Sequence, residues 1–259
     1  MKKSLPFFSF LTLLLLSCFA CNNNDQTDQA GRSKNDSIPA IQAVTPPPAK
    51  YVYGLDLSLH QGTEIERVRK QQDKFAFIIC KATEGITYTD PDFQLNWKTI
   101  PELGLIRGAY HFYRTKDAPM PQAENFASTI KDLQATDLPP IIDFEGTSFE
   151  GSKQQNVENI QKDILTFLQS VEKHLNRKPM IYTNNYIGNK YLNTPAFRTY
   201  ALWIADYEAQ TKPQLPKAWQ GKNWLIWQKT GNYFFDGKKN DFDTFNGDRK
   251  TMEAFIKDY

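Results

Sequence analysis

Asp143 and Glu145 stand two residues apart in Pro140-Ile141-Ile142-Asp143-Phe144-Glu145, among large apolar side chains. On a strand, residues i and i+2 share a face, with Cα atoms about 6.5–7 Å apart. Carboxylates that close repel, so the pKa of one rises and a proton is held near neutral pH. A carboxyl that keeps its proton can act as a general acid and protonate the leaving oxygen of a glycosidic bond. Two rivals stand beside that reading. Carboxylate clusters also bind calcium or magnesium, and an acidic pair can simply be a solvated rim.

The rest of the chain supplies candidates of matching chemistry. Asp56, Lys81, Glu84, Tyr110, His111, Tyr182, Gln228 and Asp241 all fall at or near the ends of apolar runs. So do the aromatics Tyr110, Phe112, Tyr113, Tyr182, Trp203, Tyr207 and Trp227. Sugar rings stack their C–H faces on aromatic planes while carboxylates and amides take the hydroxyls, so this set suits a polysaccharide better than a metal phosphate. Each aromatic taken singly also suits core packing.

These side chains need a frame that brings distant strand ends together. Short, nearly continuous apolar runs at residues 52–57, 75–80, 105–113, 138–145, 179–183, 201–205, 223–228 and 241–245 read as strands buried on both faces. Helical spacing predicts helices over 64–72, 92–103, 122–133 and 155–174, the last with Ile160, Ile164, Leu165, Phe167, Leu168 and Val171 on one face. Gly104 marks a helix stop. The alternation predicts an α/β protein whose eight strands close into a (β/α) barrel, irregular in its last third. Active sites of such barrels gather at the C-terminal strand ends, so both acids are expected at a wet barrel mouth.

Charge and composition narrow the function further. The chain has 259 residues, 31 Lys+Arg against 29 Asp+Glu, and 40% hydrophobic residues. Residues 51–259 are formally neutral, without the basic footprint that nucleic acid requires. Three scattered histidines and three scattered cysteines argue against a zinc site. Cys80, inside an apolar strand with no histidine nearby to activate it, reads as a buried, inert thiol.

The first fifty residues read as an address and a tether. Met1-Lys2-Lys3 precedes an apolar run from Leu5 to Leu16, too short to span a membrane and the right length for a signal peptide. The run ends Leu15-Leu16-Ser17-Cys18 and then Phe19-Ala20-Cys21, which resembles the lipobox of bacterial lipoproteins. That resemblance implies cleavage after residue 17 (or 20) and lipidation of Cys18, with Cys21 the alternative. An ordinary cleaved signal is the competing reading. Residues 18–50 are polar and then proline-rich at Pro46-Pro47-Pro48, which predicts a linker, and residues 51–259 form the catalytic domain.

A family resemblance adds to this. Gly54-Leu55-Asp56-Leu57-Ser58-Leu59-His60-Gln61-Gly62, Phe77-Ile78-Ile79-Cys80-Lys81-Ala82-Thr83-Glu84-Gly85 and Gly108-Ala109-Tyr110-His111-Phe112 resemble glycoside hydrolase family 25, the Chalaropsis-type muramidases. Pro140 to Glu145, Ile181-Tyr182-Thr183, Leu202-Trp203-Ile204-Ala205 and Trp224 to Gln228 extend the likeness over residues 51–247. The resemblance implies a modified TIM-type barrel of about five β/α units followed by three further strands. It implies cleavage of the β-1,4 bond between N-acetylmuramic acid and N-acetylglucosamine in peptidoglycan, with no metal or organic cofactor.

By the same resemblance Glu145 is the general acid and Asp143 its paired aspartate, with Asp56 and Asp241 completing the catalytic acids. Tyr110, Tyr182, Trp203, Tyr207, Gln228 and Glu84 would contact the sugars. Where the family often has Asn, this chain has Asp243, which leaves Asp241 or Asp243 to face the cleft; Asp241 is favoured. His60 and His111 read as positioning residues, and His174 as a favourable charge at a helix end. The expected whole is a monomeric, exported lipoprotein of the bacterial cell envelope, anchored in the membrane and acting on glycan strands. A wall-binding protein without turnover and a barrel hydrolase of chitin-like chains remain as alternatives, as do retaining and inverting mechanisms.

Overall fold

Alternation along single strands decides which side chains face where. In β2 (Phe77–Glu84), Ile78, Cys80 and Ala82 pack against the helix residues Phe93, Trp97 and Ile100, while Phe77 and Ile79 pack with Ile141, Met180, Trp203, Ile226 and Phe245. The side-chain period of a strand is two, so these two clusters lie on opposite faces of one curved sheet. The first is the layer between strands and helices. The second fills the inside of a barrel.

A computed structural model describes residues 50–59, 65–152 and 156–259. The readings made on the leader, on Cys18 and Cys21, on the linker up to residue 49 and on His60 fall outside the described residues. Among the described residues, the strands are β1 (Val52–Leu57), β2, β3 (Tyr88–Thr89), β4 (Ile106–Phe112), β5 (Ile141–Asp143), β6 (Met180–Asn184), β7 (Ala201–Ala205), β8 (Ile226–Phe235) and β9 (Lys238–Phe245). The sheet order is β1-β9-β8-β7-β6-β5-β4-β2-β3, and β1 also pairs with β2. That extra pairing closes eight of the strands into a ring and leaves β3 as a short flap on β2. Within the ring, neighbours are parallel except β9, which runs antiparallel to both β8 and β1, and the flap β3 is antiparallel to β2.

Helices α1 (Ile65–Arg69), α2 (Phe93–Glu102), α3 (Pro119–Thr129), α4 (Val157–Leu175) and α5 (Asn185–Tyr191) follow β1, β2, β4, β5 and β6. That is five β/α units and then three further strands, the arrangement the sequence led one to expect. The start of α4 is fixed by Asn156, whose side chain accepts from the Asn159 N–H at 2.8 Å. Its inner face is Ile160, Ile164, Phe167, Leu168 and Val171, and Asn176 ends it in the left-handed conformation at φ 48°. α3 begins three residues earlier than its spacing predicts, because proline is well tolerated in a first turn.

Besides the short β3 and α5, two elements escaped the periodicity reading. β8 and β9 form one long hairpin, reversed at Asp236-Gly237, where φ is 43° and 83°. Positive φ at both residues is what a two-residue hairpin turn demands, and Asp-Gly supplies it. The other is α6 (Arg249–Asp258), whose Met252 and Ile256 join the barrel-interior cluster and plug one end of the ring. At the plugged end Arg107 and Asp137 form a buried ion pair at 2.9 Å, with the guanidinium 3.8 Å from the Trp97 ring. Polar side chains crowd the opposite end. Among the described residues no helix is long and apolar enough to cross a membrane.

Candidate active site

Each parallel strand delivers an inward side chain at its C-terminal end, because inward and outward positions alternate. Asp56 comes from β1, Lys81 from β2, Tyr110 and Phe112 from β4, Asp143 from β5, Tyr182 from β6, Trp203 from β7 and Gln228 from β8. β9 runs the other way, so Asp241, in its first half, reaches the same end. These residues, with Ser58, Glu145 and Tyr207, line one cavity of about 230 Å³. Of the catalytic and sugar-contacting residues that the resemblance implies, Glu84 lies outside it, as do the strand-end candidates His111, Tyr113 and Trp227.

Glu145 stands just beyond β5, at the N-cap of a 3₁₀ turn over Gly146–Phe149. Its carboxylate accepts from the Ser148 N–H and the Thr147 hydroxyl, while its own N–H donates to Ser148 Oγ at 3.1 Å. The strand stops at Asp143 rather than running on to Glu145, since this reciprocal cap turns the chain. The backbone at Glu145 is still extended (φ −140°, ψ −172°), so both acids line the same cavity.

Their surroundings differ, and this corrects one expectation. The barrel mouth is not uniformly wet. Asp143 is 8% exposed and its Oδ1 has no hydrogen-bond partner, whereas Glu145 is partly open. Burial, and then the Glu145 charge, push the Asp143 carboxyl well above the usual range, against the opposing pull of Lys81. The sequence reading has mutual repulsion raise one acid of the pair; at Asp143 burial is the larger cause and the Glu145 charge the second. Environment follows depth in the barrel, which spacing along one strand does not reveal.

A single amide organises the other side of the cavity. Gln228 Oε1 accepts from the Tyr182 hydroxyl at 2.7 Å and the Tyr207 hydroxyl at 2.6 Å, and its Nε2 donates to Asp56 Oδ2 at 2.8 Å. An amide oriented by two phenols can offer Asp56 only a donor, which fixes that carboxyl in place. Tyr207 reaches inward because its loop is folded on Asp206, whose carboxylate takes the N–H groups of Ala209 at 3.2 Å and Gln214 at 2.9 Å. Trp203 packs edge-on to Tyr182 and Tyr110, with ring centroids 4.5 and 6.5 Å apart.

Asp241 is partly exposed at the cavity, and Asp243 lies one strand period deeper and fully buried. Asp56 is pushed well above the carboxylate range by burial and then by the charges of Asp241 and Asp243. Gly54 explains how this corner packs. A Cβ there would come within 2.5 Å of the Phe77 ring, so only glycine lets β1 lie this close.

Glu84 works one step back. It holds the Lys81 ammonium at 2.6 Å and Arg114 at 2.6 Å in the adjoining groove. Burial alone would raise its pKa, but hydrogen bonds from Lys81 and Arg114 bring it below the ordinary value. His111 is fully buried, with Thr83 Oγ1 2.7 Å from one ring nitrogen and Gln122 Oε1 3.2 Å from the other. Burial lowers its pKa to about 3, so it is neutral and has no part in proton transfer. His174 sits in the last turn of α4 and donates to the Ser170 carbonyl at 2.7 Å. Cys80 is buried, and burial raises its thiol further.

Lys81 and Phe112, candidates by their strand ends but given no role, line the cavity, and so does Ser58, which the sequence reading missed. Ser58 continues the inward register of Asp56, and Lys81 that of Ile79, so the period of two was the available signal. Among the described residues, no three His, Cys, Asp or Glu side chains are grouped to hold a metal ion. A groove of about 670 Å³ continues from the cavity at Glu145, Tyr182 and Tyr207 past Asn184 and Tyr186, and a separate groove of about 840 Å³ lies along Glu84, Ile86, Tyr88 and Arg114.

Known proteins share this architecture. The model of the family described as Glycosyl hydrolases family 25 matches residues 55–238. The chain is 34% identical over 218 residues to the Escherichia coli O157:H7 protein named Uncharacterized protein YegX, covering 81% of this chain and 75% of that one. It is 29% identical over 231 residues to Lysozyme M1 of Streptomyces globisporus, covering 83% and 75%. Among solved structures, the bacterial lysozyme from Streptomyces coelicolor superposes with a TM-score of 0.71 at 26% identity, over 80% of this chain and 97% of that one. With the match spanning most of the barrel and its acids, amide and aromatic rings meeting at one end, the chain belongs to glycosyl hydrolases family 25.

Proposed function

We propose that this chain hydrolyses the β-1,4 bond between N-acetylmuramic acid and N-acetylglucosamine in peptidoglycan. One observation carries the reading. Glu145, partly exposed beside the buried Asp143, stands where an aromatic-walled cavity opens into the groove past Asn184 and Tyr186, with a second groove along Glu84 and Arg114 nearby. A polymer crossing that opening would place one glycosidic oxygen beside Glu145, with sugars on either side. Glu145 then donates its proton to the leaving oxygen as the bond to the anomeric carbon lengthens. Positive charge develops on the ring, the Asp143 carboxyl and the Asp241 carboxylate face it, and a water oxygen forms the new bond to the anomeric carbon as the old one breaks. Tyr182, Trp203 and Tyr207 hold the sugar bound at the cavity, and Gln228 keeps two of those rings and Asp56 in register. Lysozymes and muramidases among the relatives support the substrate class.

The test is mass spectrometry of fragments released from purified peptidoglycan, run beside a Glu145→Gln control. Products ending in N-acetylmuramic acid are expected. Products ending in N-acetylglucosamine would overturn the reading in favour of a chitin-type bond choice, and no release would point to wall binding without turnover.

We also infer that the domain works at a membrane surface in the cell envelope, as a monomer on a lipid tether. The leader ending at Ser17-Cys18 and the polar, proline-rich residues 18–50 support this. Replacing the acylated cysteine, Cys18 with Cys21 as the alternative, is expected to move the protein to the soluble fraction with its specific activity unchanged. Membrane recovery of Cys18→Ala, Cys21→Ala and the double variant alike would remove the tether.

A further inference from the structure

Asp243 has no role in the mechanism above, yet it is a fully buried acid at the heart of the barrel. Its Oδ1 accepts from the Trp203 Nε1–H at 2.8 Å. Its Oδ2 is buried and takes no hydrogen bond from any N–H or alcohol among the described residues. What faces it is another carboxyl. β9 places Asp241 opposite Asp56 and Asp243 opposite Gly54, one inward position below Asp56, so the buried Asp243 and Asp56 carboxyls meet inside the barrel. Asp56 is itself 4% exposed. Two carboxylates cannot hydrogen-bond to one another, since each only accepts. The contact requires a proton.

We propose that Asp56 and Asp243 form an acid–carboxylate pair holding one proton between them, in which Asp243 is a positioning residue that sets the protonation of Asp56. The assignment rests on the active-site reading above. Within the pair Asp56 carries the hydrogen and donates to Asp243 Oδ2, while Trp203 fills the other oxygen of the ionised Asp243. Gln228 donates to Asp56 Oδ2, which leaves Asp56 Oδ1 to carry the hydrogen. Every other charge near the pair points the same way. Asp241 on β9 and Asp143 on β5 are acidic, and the phenols of Tyr110, Tyr182 and Tyr207 are held neutral by burial. The one cation lining the cavity among the described residues, Lys81, is spent on Glu84. Burial first, and then the Asp241 charge, raise both members of the pair.

The consequence is chemical. A proton-bearing Asp56 is no base toward water, so general-base or charge-stabilising work at this wall falls to Asp241, the partly exposed acid. The pair carries one negative charge in total. Asp243→Asn conserves that charge but moves it, because an asparagine can still accept from Trp203 while its Nδ2 donates to Asp56.

The experiment is carbon-13 NMR of aspartate carboxyls in the full chain across a pH series, with Asp243→Asn, Asp56→Asn and Trp203→Phe as partners. In the wild type, one carboxyl resonance assigned to this pair should remain in the acid form at neutral pH and vanish in Asp56→Asn. In Asp243→Asn the Asp56 midpoint should fall by at least about one pH unit, a tenfold loss of proton affinity, as a hydrogen-bond donor replaces a like charge. Trp203→Phe should raise the midpoint of the pair, because Asp243 loses its donor. A wild type in which both carboxyls are ionised at pH 6 overturns the proposal. So does an Asp56 resonance that Asp243→Asn leaves in place. The NMR readout needs no turnover, so it fails or succeeds separately from the peptidoglycan reading. In kinetics, Asp243→Asn should change the pH profile of kcat and leave KM near its wild-type value; a mere packing defect would not shift the profile.

Discussion

Glu145→Gln is expected to lower peptidoglycan hydrolysis at least 10²-fold, and up to about 10⁴-fold, with KM close to the wild-type value. The substitution keeps the side-chain length and one acceptor oxygen. It cannot supply a proton to the leaving oxygen as the glycosidic bond breaks. The local fold should survive, because the turn over Gly146–Phe149 needs only an acceptor for the Ser148 N–H and the backbone bond from residue 145 to Ser148 Oγ. Loss of rate with retained binding and unchanged melting would therefore report proton donation. Turbidity clearance and sedimentation with insoluble wall measure the two sides. A variant that clears wall at near wild-type speed would take Glu145 out of its role.

Asp143→Asn is expected to do two opposite things. Hydrolysis should fall, since the carboxyl that faces the reacting ring beside Glu145 is gone. Stability should rise. Asp143 is 8% exposed, with Oδ1 unpartnered, and its pKa is raised by burial and by Glu145. A carboxyl whose folded pKa lies above its unfolded value stabilises the fold fully below the unfolded pKa. That contribution is lost as pH rises through the folded pKa. Above that window the wild type pays for a buried charge that asparagine does not carry. An unsatisfied buried polar group costs about 1–3 kcal/mol. At roughly 2–4 °C per kcal/mol for a domain of this size, Tm at alkaline pH should rise by roughly 2–12 °C. The gain should shrink on acidification and disappear below the unfolded carboxylate pKa. A lower Tm at alkaline pH, or a gain that does not vary with pH, would sink the argument.

Much of the barrel was readable because buried parallel strands advertise themselves as apolar runs. All eight ring strands coincide with such runs, and α4 with a clean helical stripe. The hairpin arms beyond Gln228 and before Asp241 were not readable that way. Polar Asn232, Lys238, Lys239 and Asn240 flank the aromatic run Tyr233-Phe234-Phe235 there, and only Asp236-Gly237 marks the turn. α6 hid for a different reason: ten residues with charged Arg249, Lys250, Glu253 and Lys257 look like a solvated tail until Met252 and Ile256 find the barrel floor. In the site, residue types and strand ends brought the acids and aromatics together. What spacing could not supply was depth. Asp143 and Glu145 look alike in sequence and differ in burial; Asp241 and Asp243 differ the same way, in the opposite order along the chain.

The place of β9 bears on how the protein acquires its fold. The strand is the last of the ring, inserted between β8 and the first strand, and the Gln228–Asp56 bond it accompanies joins residues 172 apart in the chain. Contacts of that separation form late, because loop closure must be met before they repay it. A chain halted one step earlier would hold Asp143 and Glu145 on an open sheet, with β1 exposing an unpaired edge. Such an edge templates pairing with other chains. The wall of the cavity that carries Asp241 is thus also the seam that closes the barrel, so hydrolytic competence and protection from aggregation arrive in the same event.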